Sequence, residues 1–257
     1  FSAVLAQCEV QKLTAPGATG FEQFGKSVSV NGDLALGGAG GEGCEDGFNC
    51  GAAYVYRFNG VRWNLEQRLV ASDAKKDSYF GNAVAIKGNL AIVGAFLDSC
   101  NGGINPSCGT AYLFGFDGQS WVQIQTFPGS NYFGSTVGLT GESIVIGAFS
   151  AESSWGWIKL YRFDGSAWFA EQLIGPPPNT GRFGASVSLS ATDAVAVVGA
   201  DGHYYYGPGQ YGPAQAFVYR FKEFEWVLEQ RLVADDARVD NRFGIATAID
   251  GDQIAVG

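Results

Sequence analysis

Five cysteines, one histidine and a scatter of aspartates and tyrosines are the side chains of this 257-residue chain whose types and spacing could support chemistry. Cys44 and Cys50 lie six residues apart, and Cys100 and Cys108 eight. Two such close pairs predict two local disulfides and an oxidising compartment. A metal site would need four converging ligands, and the only histidine, His203, stands far along the chain. Cys8 is left over. Asp73 and Asp77 recur as Asp235 or Asp236 and Asp240, and oxygen-rich loops of this kind can hold calcium, which takes roughly six to eight oxygen ligands. A third carboxylate does not recur with them, so the reading taken is turn capping by Asp, with no metal and no cofactor. Tyr204, Tyr205, Tyr206 and Tyr211, set among Gly and Pro, offer flat amphipathic surfaces suited to a sugar ring or a protein partner, and Trp155 is a further candidate. The bland alternatives are that the tyrosines fill their own loop and that Trp155 packs in place of a disulfide.

Catalysis has little support. A Ser-His-Asp site needs a nucleophile and an acid placed around a histidine, and nothing stands at such spacing from His203. A glycosidase needs two carboxylates ~5–10 Å apart across a pocket, and the segments read below as innermost carry Ser, Ala, Gly and Val instead. The expectation is therefore a chain that is not an enzyme.

The elements that must position these residues come from a repeat. Phe-Gly occurs at Phe24-Gly25, Phe80-Gly81, Phe133-Gly134, Phe183-Gly184 and Phe243-Gly244, at steps of 56, 53, 50 and 60 residues. Each is followed by an apolar run ending in Gly38-Ala39, Gly94-Ala95, Gly147-Ala148, Gly199-Ala200 or Gly257. A period near 50 signals a repeat architecture. The second half of the unit is as regular: Phe58, Phe116, Phe163 and Phe221 each precede a Trp (63, 121, 168, 226) by five residues, and a Gln follows each Trp by four. In the first unit this reads as strands near 24–30, 33–38, 52–58 and 62–70, with Tyr54, Tyr56 and Phe58 on one face and Trp63, Leu65 and Leu69 on one face. Asn59-Gly60, Asp117-Gly118 and Asp164-Gly165 supply hairpin turns. Alternation of large and small residues in Val28-Ser29-Val30 and its counterparts suits the innermost strand, where blades crowd at an axis. The fold class is thus all-β, a β-propeller of four-stranded antiparallel blades. About five repeats are expected, four complete and one split or truncated: 24–70, 80–126, 133–174, 183–233, and 243–257 with 8–14. The four repeat tryptophans are core residues.

Phe-Gly, Gly-Ala, an aromatic strand, Trp, Glu-Gln and a Leu69-Val70-Ala71-Ser72-Asp73-type loop together resemble the FG-GAP repeat, which builds the integrin α-subunit head and many surface proteins. The resemblance covers almost the whole chain and implies the propeller fold. It also implies an extracellular setting and allows adhesion. Integrin-type repeats carry an Asp-x-Asp-x-Asp-Gly calcium loop, and no such run exists here, so those calcium sites are not carried over. Residues 1–7 read either as a poor third strand or as the tail of a secretion signal, with a lipid anchor at Cys8 disfavoured by Gln7. A fragment of a longer propeller, of six or seven blades, is the expectation.

A net charge of −9 argues against a nucleic-acid partner, and no stretch approaches the ~20 apolar residues of a membrane span. Function is assigned to the links that vary: 39–51, 95–109, 148–156 and 200–215 between second and third strands, and 71–79, 127–132, 174–182 and 234–242 between units. In a propeller these emerge on one face, and variable loops on a rigid scaffold are where binding sits. The resulting expectation is a secreted or cell-surface binding or adhesion module for an extracellular protein or glycan. The alternatives are a lectin-like propeller and an accessory domain of an extracellular hydrolase.

Overall fold

The computed structural model describes residues 11–18, 20–45, 47–98, 108–149, 156–178, 180–190, 194–202, 214–236 and 242–257. Its regular structure is entirely β among these residues. The first sheet is β1 (Val28–Asn31), β2 (Leu34–Ala39), β3 (Ala52–Phe58) and β4 (Trp63–Leu69). The second is β5 (Ala83–Lys87), β6 (Leu90–Ala95), β7 (Thr110–Phe116) and β8 (Trp121–Pro128). The third is β9 (Phe133–Leu139), β10 (Ser143–Ala148), β11 (Trp157–Phe163) and β12 (Trp168–Ile174). The fourth is β13 (Phe183–Ser190), β14 (Val195–Ala200), β15 (Gln215–Lys222) and β16 (Glu225–Leu232), and β17 (Thr247–Asp250) pairs with β18 (Gln253–Val256). Each four-stranded sheet is an antiparallel meander in sequence order. The first strands lie side by side, β1 on β5, β5 on β9, β9 on β13 and β13 on β17, which makes them the inner edge of each blade.

Small polar residues on that inner edge join the blades. The hydroxyls of Ser27 and Ser29 and the amide oxygen of Asn31 accept the backbone N–H groups of Val84, Ile86 and Gly88 at 3.0, 3.1 and 2.9 Å. Thr136 and Ser186 donate to the carbonyls of Gly184 and Gly244 in the blades that follow theirs, both at 2.9 Å. The paired glycines of the repeat meet here as well. A Cβ on Gly38, Gly94 or Gly199 would overlap the carbonyl of Gly81, Gly134 or Gly244, the Phe-Gly glycine of the following blade. The Gly-Ala and Phe-Gly motifs are therefore two halves of one blade-to-blade contact.

The core lies between the sheets. Leu36, Val55 and Leu69 of the first blade enclose Phe80, Val84 and Ile86 of the second together with Tyr112, Phe114 and Trp121. The same layer repeats between the second and third blades and between the third and fourth. Fully buried rings such as Phe80, Phe133 and Phe183 each contribute roughly 1.5–3 kcal/mol of hydrophobic stabilisation. Trp121, Trp168 and Trp226 are buried, whereas Trp63, packed beside Leu13 and Ala15, is half-buried.

One expected face is corrected. Val55 pairs with Gln67 but Tyr56 with Leu65, so Glu66 is an extra residue in β4. The bulge reverses the parity of the strand: Trp63 and Leu65 stay with Tyr54 and Tyr56, while Leu69 moves to the opposite face and is fully buried. Equivalent bulges stand at Ile124, Glu171 and Glu229.

The 8–14 segment assigned to the split fifth repeat forms no strand over its described residues, 11–14. Residues 11–15 are irregular, yet the Gln11 side chain donates to the Trp63 carbonyl and accepts from its N–H, both at 2.8 Å, and Leu13 and Ala15 cover the first sheet. Residues 1–10, including Cys8, lie outside the described residues.

Candidate functional site

Antiparallel order brings the links between second and third strands (40–51, 96–109, 149–156, 201–214) to the same end of each blade as the links between blades. At the opposite end the turns are tight. Asn59, Asp117 and Asp164 each accept two backbone N–H groups two and three residues on, which closes the β3–β4, β7–β8 and β11–β12 hairpins. These bonds hold the Asp117 and Asp164 carboxyls below the usual range. The fourth hairpin turns through Glu223 and Phe224, both with positive φ.

The long-link end is built on carboxylates tied to tyrosines and cations. In the first blade Cys44 and Cys50 are disulfide-bonded, with Cα atoms 5.8 Å apart. Beneath this link Glu42 accepts from the Tyr54 hydroxyl at 2.6 Å and from Arg68 at 2.7 Å. Burial, then the Glu42 carboxylate, pushes the Tyr54 phenol up to about 12. In the second blade the Tyr112 hydroxyl lies 2.8 Å from Asp73 and 3.0 Å from Asp98, and Lys75 reaches both carboxylates. Burial and the two negative charges move the Tyr112 phenol far above its ordinary range. In the fourth blade Asp201, almost fully buried, pairs with Arg182 at 2.8 Å.

These contacts place two of the aspartates considered for calcium, Asp73 and Asp77. Asp73 is engaged by Tyr112 and Lys75, and Asp77 accepts from Asn49 at 2.9 Å with φ at 60°. Among the described residues no group of three or more His, Cys, Asp or Glu is arranged to hold a metal ion. Cys108 is disulfide-bonded, and its expected partner Cys100 lies outside the described residues. Tyr204, Tyr205, Tyr206, Tyr211, Trp155, His203 and Asp240 lie outside them too. No described helix is long and apolar enough to cross a membrane.

One feature of this end has no counterpart in the sequence reading. Between the second and third blades a cavity of about 520 Å³ opens among Pro128, Phe133, Trp157, Lys159 and Leu173. Its signal lies in the repeat itself: Lys159 occupies the column filled by Tyr54, Tyr112 and Phe217. Only an alignment of the units residue by residue exposes it.

Stacked four-stranded meanders joined at their first strands define a β-propeller-type repeat protein. An FG-GAP repeat family model matches residues 8–56, 63–114 and 226–257, more than half of the chain, and the chain belongs to that family. No curated protein matches the sequence at a significant level. Among solved structures, hydrazine synthase of Kuenenia stuttgartiensis superposes with a TM-score of 0.58 at 12% identity, over 90% of this chain and 60% of that one. A Bombyx mori GH32 β-fructofuranosidase superposes with a TM-score of 0.47 at 12% identity, over 88% of this chain and 52% of that one. For Trypanosoma rangeli sialidase the values are 0.44 and 14%, over 81% and 38%. The chain thus spans about 60% or less of these neighbours, and at such identities the hydrazine synthase likeness is one of fold alone.

Proposed function

We propose that this chain is a non-catalytic binding module of a secreted or cell-surface protein, which engages an extracellular protein partner through the long-link face. The observation that carries the reading is the anchoring of that face. The feet of its links are held by Tyr54–Glu42–Arg68, by Tyr112–Asp98–Lys75–Asp73 and by Arg182–Asp201. Fixed feet beneath variable loops lower the ordering cost of binding, since less conformational freedom remains to be lost. The Cys44–Cys50 disulfide supports an oxidising compartment. Support for a non-catalytic role comes from the inner edge, where Ser27, Ser29, Thr136 and Ser186 are taken up in joining blades.

The test compares the wild-type chain with a Tyr204→Ala/Tyr205→Ala/Tyr206→Ala variant and a Phe224→Ser variant on the opposite face, all checked for folding by circular dichroism. Pull-down from the native source and a glycan array are run with all three. Saturable binding of one protein, lost in the triple variant and kept in Phe224→Ser, is the expected result. A sugar bound with the same dependence would replace the protein partner by a glycan. Binding indifferent to the triple variant but lost in Phe224→Ser would overturn the face assignment.

A further inference from the structure

The third blade departs from the repeat at three neighbouring positions that surround one cavity. In the third strand of each blade, the residue opposite the fourth position of the second strand is Tyr54 (across from Gly37), Tyr112 (Val93) and Phe217 (Val198). In the third blade it is Lys159, across from Ile146. The ring elsewhere receives the Phe of Phe-Gly edge-on, with centroids 5.7, 5.4 and 5.6 Å apart for Phe24–Tyr54, Phe80–Tyr112 and Phe183–Phe217. Phe133 finds no ring there. It stacks instead on Trp157 at 5.2 Å and 17°, in a column that elsewhere holds the buried Ala52, Thr110 and Gln215. Across from Lys159 stands Leu173, 63% exposed, where the other blades have Arg68, Thr126 and Arg231. A ring has been withdrawn, a tryptophan added beside the gap and a polar neighbour made apolar.

We propose that this cavity is a binding site for a small aromatic monocarboxylate. The proposal goes beyond the long-link reading, because its ligand is small and it stands whether or not the loops bind a macromolecule. The volume of about 520 Å³ lies within the roughly 300–1,000 Å³ typical of ligand pockets. Its walls at Pro128, Trp157 and Leu173 are apolar, which suits a ring. The charge is supplied by Lys159. Its ammonium lies 5.3 Å over the Tyr161 ring and has no carboxylate partner among the described residues, whereas Arg57, Arg162, Arg182 and Arg220 all do. A half-buried cation with no counter-ion among the described residues has lost part of its hydration, and an anion carried in on an apolar body restores the balance. One ammonium matches one negative charge. Beside Lys159, only the Ser130 hydroxyl and the Trp157 indole N–H add hydrogen-bonding side-chain groups to the lining, too few donors for a strongly hydrated dianion.

The test titrates phenylacetate into the 257-residue chain, read by tryptophan fluorescence and calorimetry, with phenethyl alcohol and phenethylamine as neutral and cationic counterparts. Phenylacetate is expected to bind saturably at one site, the alcohol about tenfold or more weakly and the amine weaker still. Lys159→Met retains the apolar volume and is expected to erase the preference for the acid. Lys159→Tyr returns the repeat's ring to the cavity, so binding is expected to vanish while the melting temperature holds or rises. No saturable binding of phenylacetate up to about 10 mM would overturn the proposal, as would binding undiminished in Lys159→Met.

Discussion

Glu66 accepts from Arg57 of its own blade and, at 2.7 Å, from the indole N–H of Trp121 in the next, while the Arg57 guanidinium lies 5.4 Å over the Phe116 ring. Glu171 repeats the arrangement with Arg162 and Trp226. The second blade replaces both charges together: Gly115 stands at the Arg column and Ile124 at the Glu column, and the Ile124 side chain packs over the glycine. Loss of the pair as a unit leaves no buried charge unmatched, whereas loss of one partner does. Burial raises the Glu66 pKa, but the Arg57 and Trp121 hydrogen bonds outweigh it and leave the carboxyl below its ordinary 4.5. A carboxyl depressed in the folded state contributes stability that is full above its unfolded pKa and is lost as the pH falls through the folded value. Glu66→Gln is therefore expected to flatten the decline of the urea midpoint as pH drops from about 5 to about 3. Glu66→Ala is expected to cost ~1–3 kcal/mol at neutral pH in the same titration.

At the scale of the element, the bulged fourth strand is the device that joins one blade to the next. The residue after each bulge is the repeat Gln. Gln67 bonds both the N–H and the carbonyl of Trp121, at 2.7 and 2.8 Å, and Gln172 does the same for Trp226. Gln125 donates to the Trp168 carbonyl at 3.2 Å, and Gln230, after the fourth bulge, is exposed. The Trp-to-Gln spacing was legible in the sequence, but its purpose was not: alternation read along one strand assumes unbroken parity, and the bulge breaks it. The glycines admit a sharper test. Gly81 has φ of +94° and its missing Cβ would overlap the Ala52 carbonyl, while Gly60 has φ of +91° with open space around it. Gly60→Ala is expected to cost about 1 kcal/mol from backbone strain alone. Gly81→Ala adds a collision with a neighbouring blade, and its loss in chemical denaturation is expected to be at least twice as large. Equal losses would mean that the backbone conformation, rather than the blade contact, explains the motif.

For the whole molecule, stability resides in the layers between blades, so a staple confined to one loop should matter modestly. Reduction of Cys44–Cys50, which closes a six-residue separation, is expected to lower stability by about 2 kcal/mol and leave the protein folded. Thiol labelling of the unreduced, denatured chain is expected to find one reactive cysteine of the five; four or five would contradict an oxidising compartment. Cooperative unfolding on reduction would show that the link, and not the interblade core, holds the fold. The inner strand of the first blade marks the limit of that core. Val28 and Val30 are 66% and 65% exposed, whereas Val84 and Ile86, their counterparts against the first blade, are 6% and 4%.

Class and repeat were readable from the chain alone because they depend on local rules: strand alternation, Gly at turns and at close contacts, and a recurring Phe-Gly, Gly-Ala and Trp. The Cys44–Cys50 pairing was readable for the same reason, since a separation of six residues leaves few alternatives. What the tertiary structure alone decided depends on partners distant in sequence. Glu66 meets Trp121 fifty-five residues on, and Tyr112 meets Asp73 thirty-nine residues back. The cavity arises only when Pro128, Trp157 and Leu173 are brought around Lys159. Side-chain periodicity reports which face a residue takes; it carries no information on which neighbour has withdrawn a ring from that face.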